Sequence, residues 1–232
     1  MGLWSFICDC ASSVVDLVCS VGSAICSGLS AALSALATPI ATVLGLALGS
    51  ETFKLCVQII GTIARILGLV GNDTKTDELG ARAIEHSEIS VDSCGSYAAY
   101  IKALEEAEFD EEKYRQKDSR YHAQALLVGA GIEVEAIAEK YDTLYIPAEF
   151  YGVAAKGNLN GEQTKQLLDI MAENNVEDAG CFRDYLNQAE MDEAQADKME
   201  KTMSDFEAKS GVSMEQILDN IEDYNEKRQE NM

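Results

Sequence analysis

From residue 17 to residue 50 this chain carries no charged side chain. A single helix over that stretch would be about 50 Å long at 1.5 Å per residue. That exceeds the roughly 30 Å hydrocarbon core of a bilayer, so the stretch must break. Thr38-Pro39 is the natural place, because Pro in a helix interior removes a hydrogen bond and clashes with the preceding turn. The sequence therefore predicts one helical arm over residues 12–37 and a second over 40–49. A third helix follows Gly49-Ser50 and runs from Glu51 to Val70.

Charge divides the chain in the same place. Up to Asn72 the only charged residues are Asp9, Asp16, Glu51, Lys54 and Arg65, so nearly all of the net charge of −22 lies beyond it. A body this acidic is a poor partner for nucleic acid, which needs clustered Lys and Arg. Its acidity supports solubility and attracts cations or basic surfaces. The expected organisation is a hydrophobic, membrane-interacting helical region over residues 1–72, a hinge over 73–92 and an acidic helical domain over 93–232. The fold class is mainly α: a hydrophobic helical hairpin or three-helix membrane-facing region, followed by an acidic all-α domain.

Within the first arm, Ser20, Ala24 and Gly28 are spaced by four. Small residues at that spacing let helix backbones approach closely where lipid gives no hydrophobic drive. Val18, Val21, Ile25, Leu29, Leu33 and Leu36 are the lipid-facing residues of this arm, with Ile40, Val43 and Leu44 in the next. Large aliphatic side chains favour insertion by about 0.3–0.6 kcal/mol each, which sums to roughly 2–4 kcal/mol over the first arm. The interspersed serines reduce that gain, so the span is marginal.

In the third helix Phe53, Val57, Ile60, Ile63 and Leu67 form an apolar, membrane-facing side. Lys54, Gln58, Thr62 and Arg65 form a narrow polar stripe with two positive charges. A basic stripe on an apolar helix fits an interfacial element. A helix buried against its neighbours, with the basic edge at the rim, fits the same pattern almost as well.

Beyond Asp73 the periodicity is helical throughout. Ser93 or Ser96 caps a helix to about Phe109, with Tyr97, Ile101 and Leu104 inward. A longer helix is expected from Glu111 to Tyr141, with Ala123, Leu127, Ala130, Val134 and Ile137 on one stripe. Residues 142–161 carry turn chemistry, with Leu144-Tyr145-Ile146 briefly extended. Asn160 with Gln163 forms a capping box for a helix to Met171. Further helices are expected over 182–187 and 191–208. Gly211 is the C-cap of the latter, and Ser213 with Gln216 opens the last helix.

The motifs that carry chemistry fail at decisive positions. Seven cysteines show no paired CxxC spacing, so no zinc site or disulfide framework is indicated. Buried thiols of a reducing compartment are the simpler account. Ser93-Cys94-Gly95-Ser96-Tyr97 approximates the approach to a papain-type nucleophile, but Tyr97 stands where that Cys belongs. Cys94 itself, with His86 or His122 as base, is the remaining enzymatic candidate. Gly129-Ala130-Gly131 begins a dinucleotide fingerprint that Val134 ends; close helix packing explains those glycines better. Lys156 and Leu167 occupy positions where a calcium loop needs acidic ligands. Glu133 and Glu135 point to different helix faces and form no pair. No catalytic residue, cofactor or metal is assigned.

The organisation is similar, in architecture alone, to that of bacterial delivered effectors, pore-formers and translocators, which pair marginal hairpins with soluble helices. The leading expectation is a non-enzymatic protein whose first 72 residues insert into or lie on a bilayer. Its partners would be the bilayer and a protein partner, a chaperone or a second copy through the hydrophobic N-terminus. It would be membrane-associated and, lacking a positive n-region of the ordinary secretory kind, exported by a dedicated system. The alternative is a soluble helical interaction or structural protein with residues 12–70 as buried core or oligomer interface.

Overall fold

The computed structural model describes residues 51–230. The arms at 12–37 and 40–49 lie outside these residues. So do Val18, Val21, Ile25, Leu29, Leu33, Leu36, Ile40, Val43 and Leu44, and the small residues Ser20, Ala24 and Gly28. The described chain is mainly helical, and the one bridge between extended segments joins Tyr145 to Asp178. It separates into two compact units that meet in sequence at Lys140 and Tyr141.

The first unit contains α1 (Glu51–Ile66), α2 (Thr76–Glu85), α3 (Val91–Cys94), α4 (Tyr97–Glu106), α5 (Glu111–Arg115) and α6 (Ser119–Lys140). Helix α6 is its axis. Every residue from Leu127 to Val134 is buried, which no helix lying on a surface can achieve. Helices α1, α2 and α4 pack around it. Tyr100, Ile101 and Leu104 of α4 are fully buried, and Ser96 caps that helix by accepting from the Ala99 N–H at 3.1 Å. Ala81, Ala125 and Tyr114 form a second cluster under Phe109 and Tyr121.

Two expectations change here. Residues 73–92, expected as a hinge, contain α2, whose Leu79, Ala81 and Ala83 are core residues packed on α6. The charge step near Asn72 marks a change in composition and not a break in packing. The single helix expected over 111–141 is two helices. Asp118 ends the continuity by accepting from the Tyr121 N–H at 2.8 Å, which caps a new helix start.

The second unit contains α7 (Ala148–Lys156), α8 (Gly161–Glu173), α9 (Cys181–Leu186), α10 (Glu193–Ser210) and α11 (Met214–Glu230). Tyr145 does run extended, donating its N–H to the Glu177 carbonyl and accepting from the Ala179 N–H, both at 2.8 Å. The stretch read as turns nevertheless includes α7, which follows Pro147 and buries Phe150 and Tyr151, with the Phe150 ring against those of Tyr151 and Phe182. The Asn160–Gln163 capping box is present in both directions at 2.9 Å. Gly211 takes a left-handed φ of 72°, and Ser213 exchanges bonds with Gln216. Helix α10 joins α8 through a buried polar contact in which Asn174 donates to Thr202 and Asp205, both at 3.2 Å, and accepts from Lys201 at 2.7 Å.

Candidate functional site

Among the described residues, the first unit encloses one fully buried carboxylate. Glu133, in the middle of α6, is 0% exposed. Its two oxygens lie 3.0 and 3.1 Å from the Thr76 hydroxyl at the start of α2. From α1, Gly61 covers the group: a Cβ there would stand 3.0 Å from Thr76 Oγ1, 3.2 Å from Arg65 Nη1 and 3.5 Å from Glu133 Oε2. Arg65 donates to the Thr74 carbonyl at 3.2 Å and so ties the end of α1 to the loop before α2. Burial pushes the Glu133 carboxyl up to about 8, while the Thr76 hydroxyl and the Arg65 charge pull it the other way. Desolvation dominates because an ion in a dry interior loses far more hydration than one hydroxyl restores.

This arrangement can hold and release a proton near neutrality. It lines neither of the two clefts described below. Sequence reasoning passed Glu133 over as one of many carboxylates. The available signal was its place inside an apolar run, between Ile132 and Val134 and one turn beyond Gly129, on a helix with no polar face.

The third-helix residues expected to face lipid are largely turned inward. Phe53, Val57, Ile60 and Ile63 are 5%, 8%, 1% and 0% exposed, with α1 packed on α6. Leu67 lies past the end of α1 and is half-buried. Of the polar stripe, Lys54 and Gln58 are exposed, while Thr62 and Arg65 are half-buried at the rim. Thr62 donates to the Gln58 carbonyl at 2.7 Å. The side of α1 facing outward carries Leu55 and Ile66, which are 36% and 45% exposed. Among the described residues no helix is long and apolar enough to cross a membrane.

The residues of the enzymatic candidate have other contacts. Cys94 ends the short helix α3, and its Sγ lies 3.8 Å from Ser93 Oγ. Both ring nitrogens of His86 are taken, one by Glu88 at 3.2 Å and one by the Glu108 carbonyl at 2.8 Å. The Glu108 carbonyl raises the His86 pKa foremost, with Glu88 adding to it and partial burial opposing both. His122 stacks edge-on against Tyr114 at 4.5 Å. Among the described residues no three His, Cys, Asp or Glu side chains are placed to share a metal ion.

Two clefts remain. One of about 570 Å³ in the first unit is open and mixed in charge, with Glu85, His86, Glu108, Asp110, Lys113 and Lys117 on its walls. The other, of about 230 Å³ in the second unit, lies between Cys181, Asp192, Lys198 and Met199. Burial and the neighbouring Asp178 and Asp184 push the Cys181 thiol up, which makes it a poorer nucleophile than an ordinary cysteine. Compared with known proteins, the chain matches no family model, no curated protein and no solved structure.

Proposed function

We propose that this protein engages a membrane through residues 17–49 while its acidic helical units remain in water. The observation that carries this reading is the charge-free run from residue 17 to residue 50 beside a body that holds nearly all of the net charge of −22. Burial of Phe53, Val57, Ile60 and Ile63 narrows the membrane element to the residues before Glu51. Helix α1 then serves as the first element of the aqueous body, with Leu55, Ile66 and Lys54 on its open side. A delivered effector, pore-former or translocator would use such a segment to enter a bilayer, and Lys54 suits the phosphate level of a headgroup region.

The inward face of α1 also favours a second reading. If residues 17–49 likewise pack on protein, the chain is a soluble helical interaction or structural protein, or one that buries this segment in an oligomer. Vesicle flotation of the full-length chain separates the two. The membrane reading expects the chain to float with vesicles, and expects Leu29→Glu with Leu33→Glu to abolish flotation while leaving α-helical content unchanged. A chain that is monomeric without detergent and stays at the bottom of the gradient belongs to the second reading.

A further inference from the structure

Among the described residues, the junction of α1, α2 and α6 closes over a single carboxyl, and one hydroxyl donates to it. Both Glu133 oxygens approach one hydroxyl, that of Thr76, at 3.0 and 3.1 Å. A hydroxyl carries one proton. It makes one good hydrogen bond to a carboxylate, and the second contact becomes a full hydrogen bond when the carboxyl itself carries a proton and donates it. The charged group acting on Glu133 is Arg65, from α1, and its guanidinium is turned to the Thr74 carbonyl. From α2 comes only the neutral Thr76.

Gly61 is the residue of α1 that passes over the group, and its lack of a side chain lets the helix sit 3.5 Å, at Cβ distance, from Oε2. The close crossing of α2 and α6 runs through Gly80 and Gly129 and does not include α1.

We propose that Glu133 is a proton-operated latch for α1: protonated, it keeps α1 seated on α6 and the start of α2, and ionised, it favours release of α1. The sign follows from linkage. A seated α1 holds the carboxyl near about 8, whereas release returns it toward the ordinary 4.5, so the released form gains as pH rises between those values. Release would present the apolar side of α1, with Phe53, Ile60 and Ile63, directly after the charge-free segment. The latch stands whether or not residues 17–49 meet a bilayer.

Hydrogen exchange of the full-length chain and of Glu133→Gln tests this. Comparing the two at the same pH cancels the intrinsic pH dependence of amide exchange. The expected result is that the ratio of exchange rates, native over variant, rises on the order of tenfold to a hundredfold for α1 amides between about pH 6 and about pH 9. Amides in the interiors of α2 and α6 keep their ratio. A ratio for α1 that is the same at both pH values overturns the latch. So does an equal loss of protection in α1, α2 and α6, which would mean general loosening. Should Glu133→Gln fold poorly, Arg65→Gln gives an independent reading. It removes the charge that favours the ion, so the transition in α1 protection moves to higher pH; an unmoved transition overturns the proposal.

Discussion

Gly80 of α2 and Gly129 of α6 face each other with no room for a side chain on either. A Cβ on Gly80 would fall 1.8 Å from the Ala125 carbonyl oxygen, and one on Gly129 would fall 1.7 Å from that of Thr76. Two helix backbones thus cross in direct contact, and this crossing sets Thr76 against Glu133 one helical turn along α6. The fingerprint-like Gly129-Ala130-Gly131 is packing chemistry, and its obstacle is backbone that cannot swing aside as a side chain can.

Gly80→Ala and Gly129→Ala should therefore each destabilise the first unit by about 2–4 kcal/mol, as overpacking against rigid atoms does. Gly152→Ala in α7 should act in the opposite direction. Nothing lies within 4 Å of a Cβ there, so the helix gains about 0.5–1 kcal/mol from the lost glycine entropy. Urea unfolding of the three variants checks both signs, and a loss at Gly152 equal to that at Gly80 would refute the packing argument.

Glu133 makes stability depend on pH in a direction unusual for a carboxylate. Folding raises its pKa from 4.5 to about 8. Between those values the folded form holds a proton that the unfolded form has lost, so stability falls as pH rises and levels off above the folded value. Glu133→Gln keeps a partner for Thr76 without the ionisable proton. At about pH 8 it should be more stable than the native chain by about 1–4 kcal/mol, and at about pH 5 nearly equal to it. Urea midpoints measured side by side at both pH values isolate this group from the general repulsion of a −22 protein. An equal difference at both pH values would rule the linkage out.

What the sequence revealed was local. The capping box at Asn160, the left-handed Gly211 and the exchange between Ser213 and Gln216 are each contained within a few residues, so composition alone specifies them. Helix α7 escaped notice because Gly152 and Gly157 resemble turn punctuation, although Pro147 opens the helix and Phe150, Tyr151 and Ala154 hold it in a core. The two faces of α1 were also legible. Whether its apolar face met lipid or protein was not, because that depends on α6. Glu133 was hidden for the same reason: its partner Thr76 is 57 residues away, and only the helix crossing at Gly80 and Gly129 brings the two together.

Arg82 ties the same unit together at the other end of α2. One of its guanidinium nitrogens donates to the carbonyls of Leu104, Glu105 and Ala107, the last at 2.6 Å. The Leu104 carbonyl also accepts from the Ala107 N–H at 3.2 Å, whereas those of Glu105 and Ala107 lie at the end of α4, where carbonyls lack partners in the helix. The guanidinium carbon also lies 4.6 Å from the centre of the Phe109 ring. Arg82→Ala should cost about 1–3 kcal/mol, since part-buried carbonyls lose a charged donor. Arg82→Lys should recover less than half of that, because a point charge cannot both bridge the carbonyls and lie flat on the ring. Thermal unfolding of the pair decides it; full rescue by Lys would show that only the charge matters.

In the second unit the corresponding polar tie is Asn174, the residue that ends α8. Its amide nitrogen donates to Thr202 and Asp205, and its oxygen accepts from Lys201, all on α10. Asn174 is 9% exposed and Thr202 is fully buried. Replacing Asn174 with Ala leaves the Thr202 hydroxyl without that bond and the Lys201 ammonium without its neutral acceptor. The expected loss is about 1–3 kcal/mol. Asn174→Asp keeps the oxygen that accepts from Lys201 but sets a second carboxylate beside Asp205. It should therefore be worse than Asn174→Gln at neutral pH and improve on acidification, as one of the two carboxyls takes a proton. Urea unfolding of the three variants at about pH 7 and about pH 4 provides the comparison. If Asn174→Ala unfolds with the native midpoint, the α8–α10 contact rests on its apolar residues Met171, Met199, Met203 and Phe206 alone.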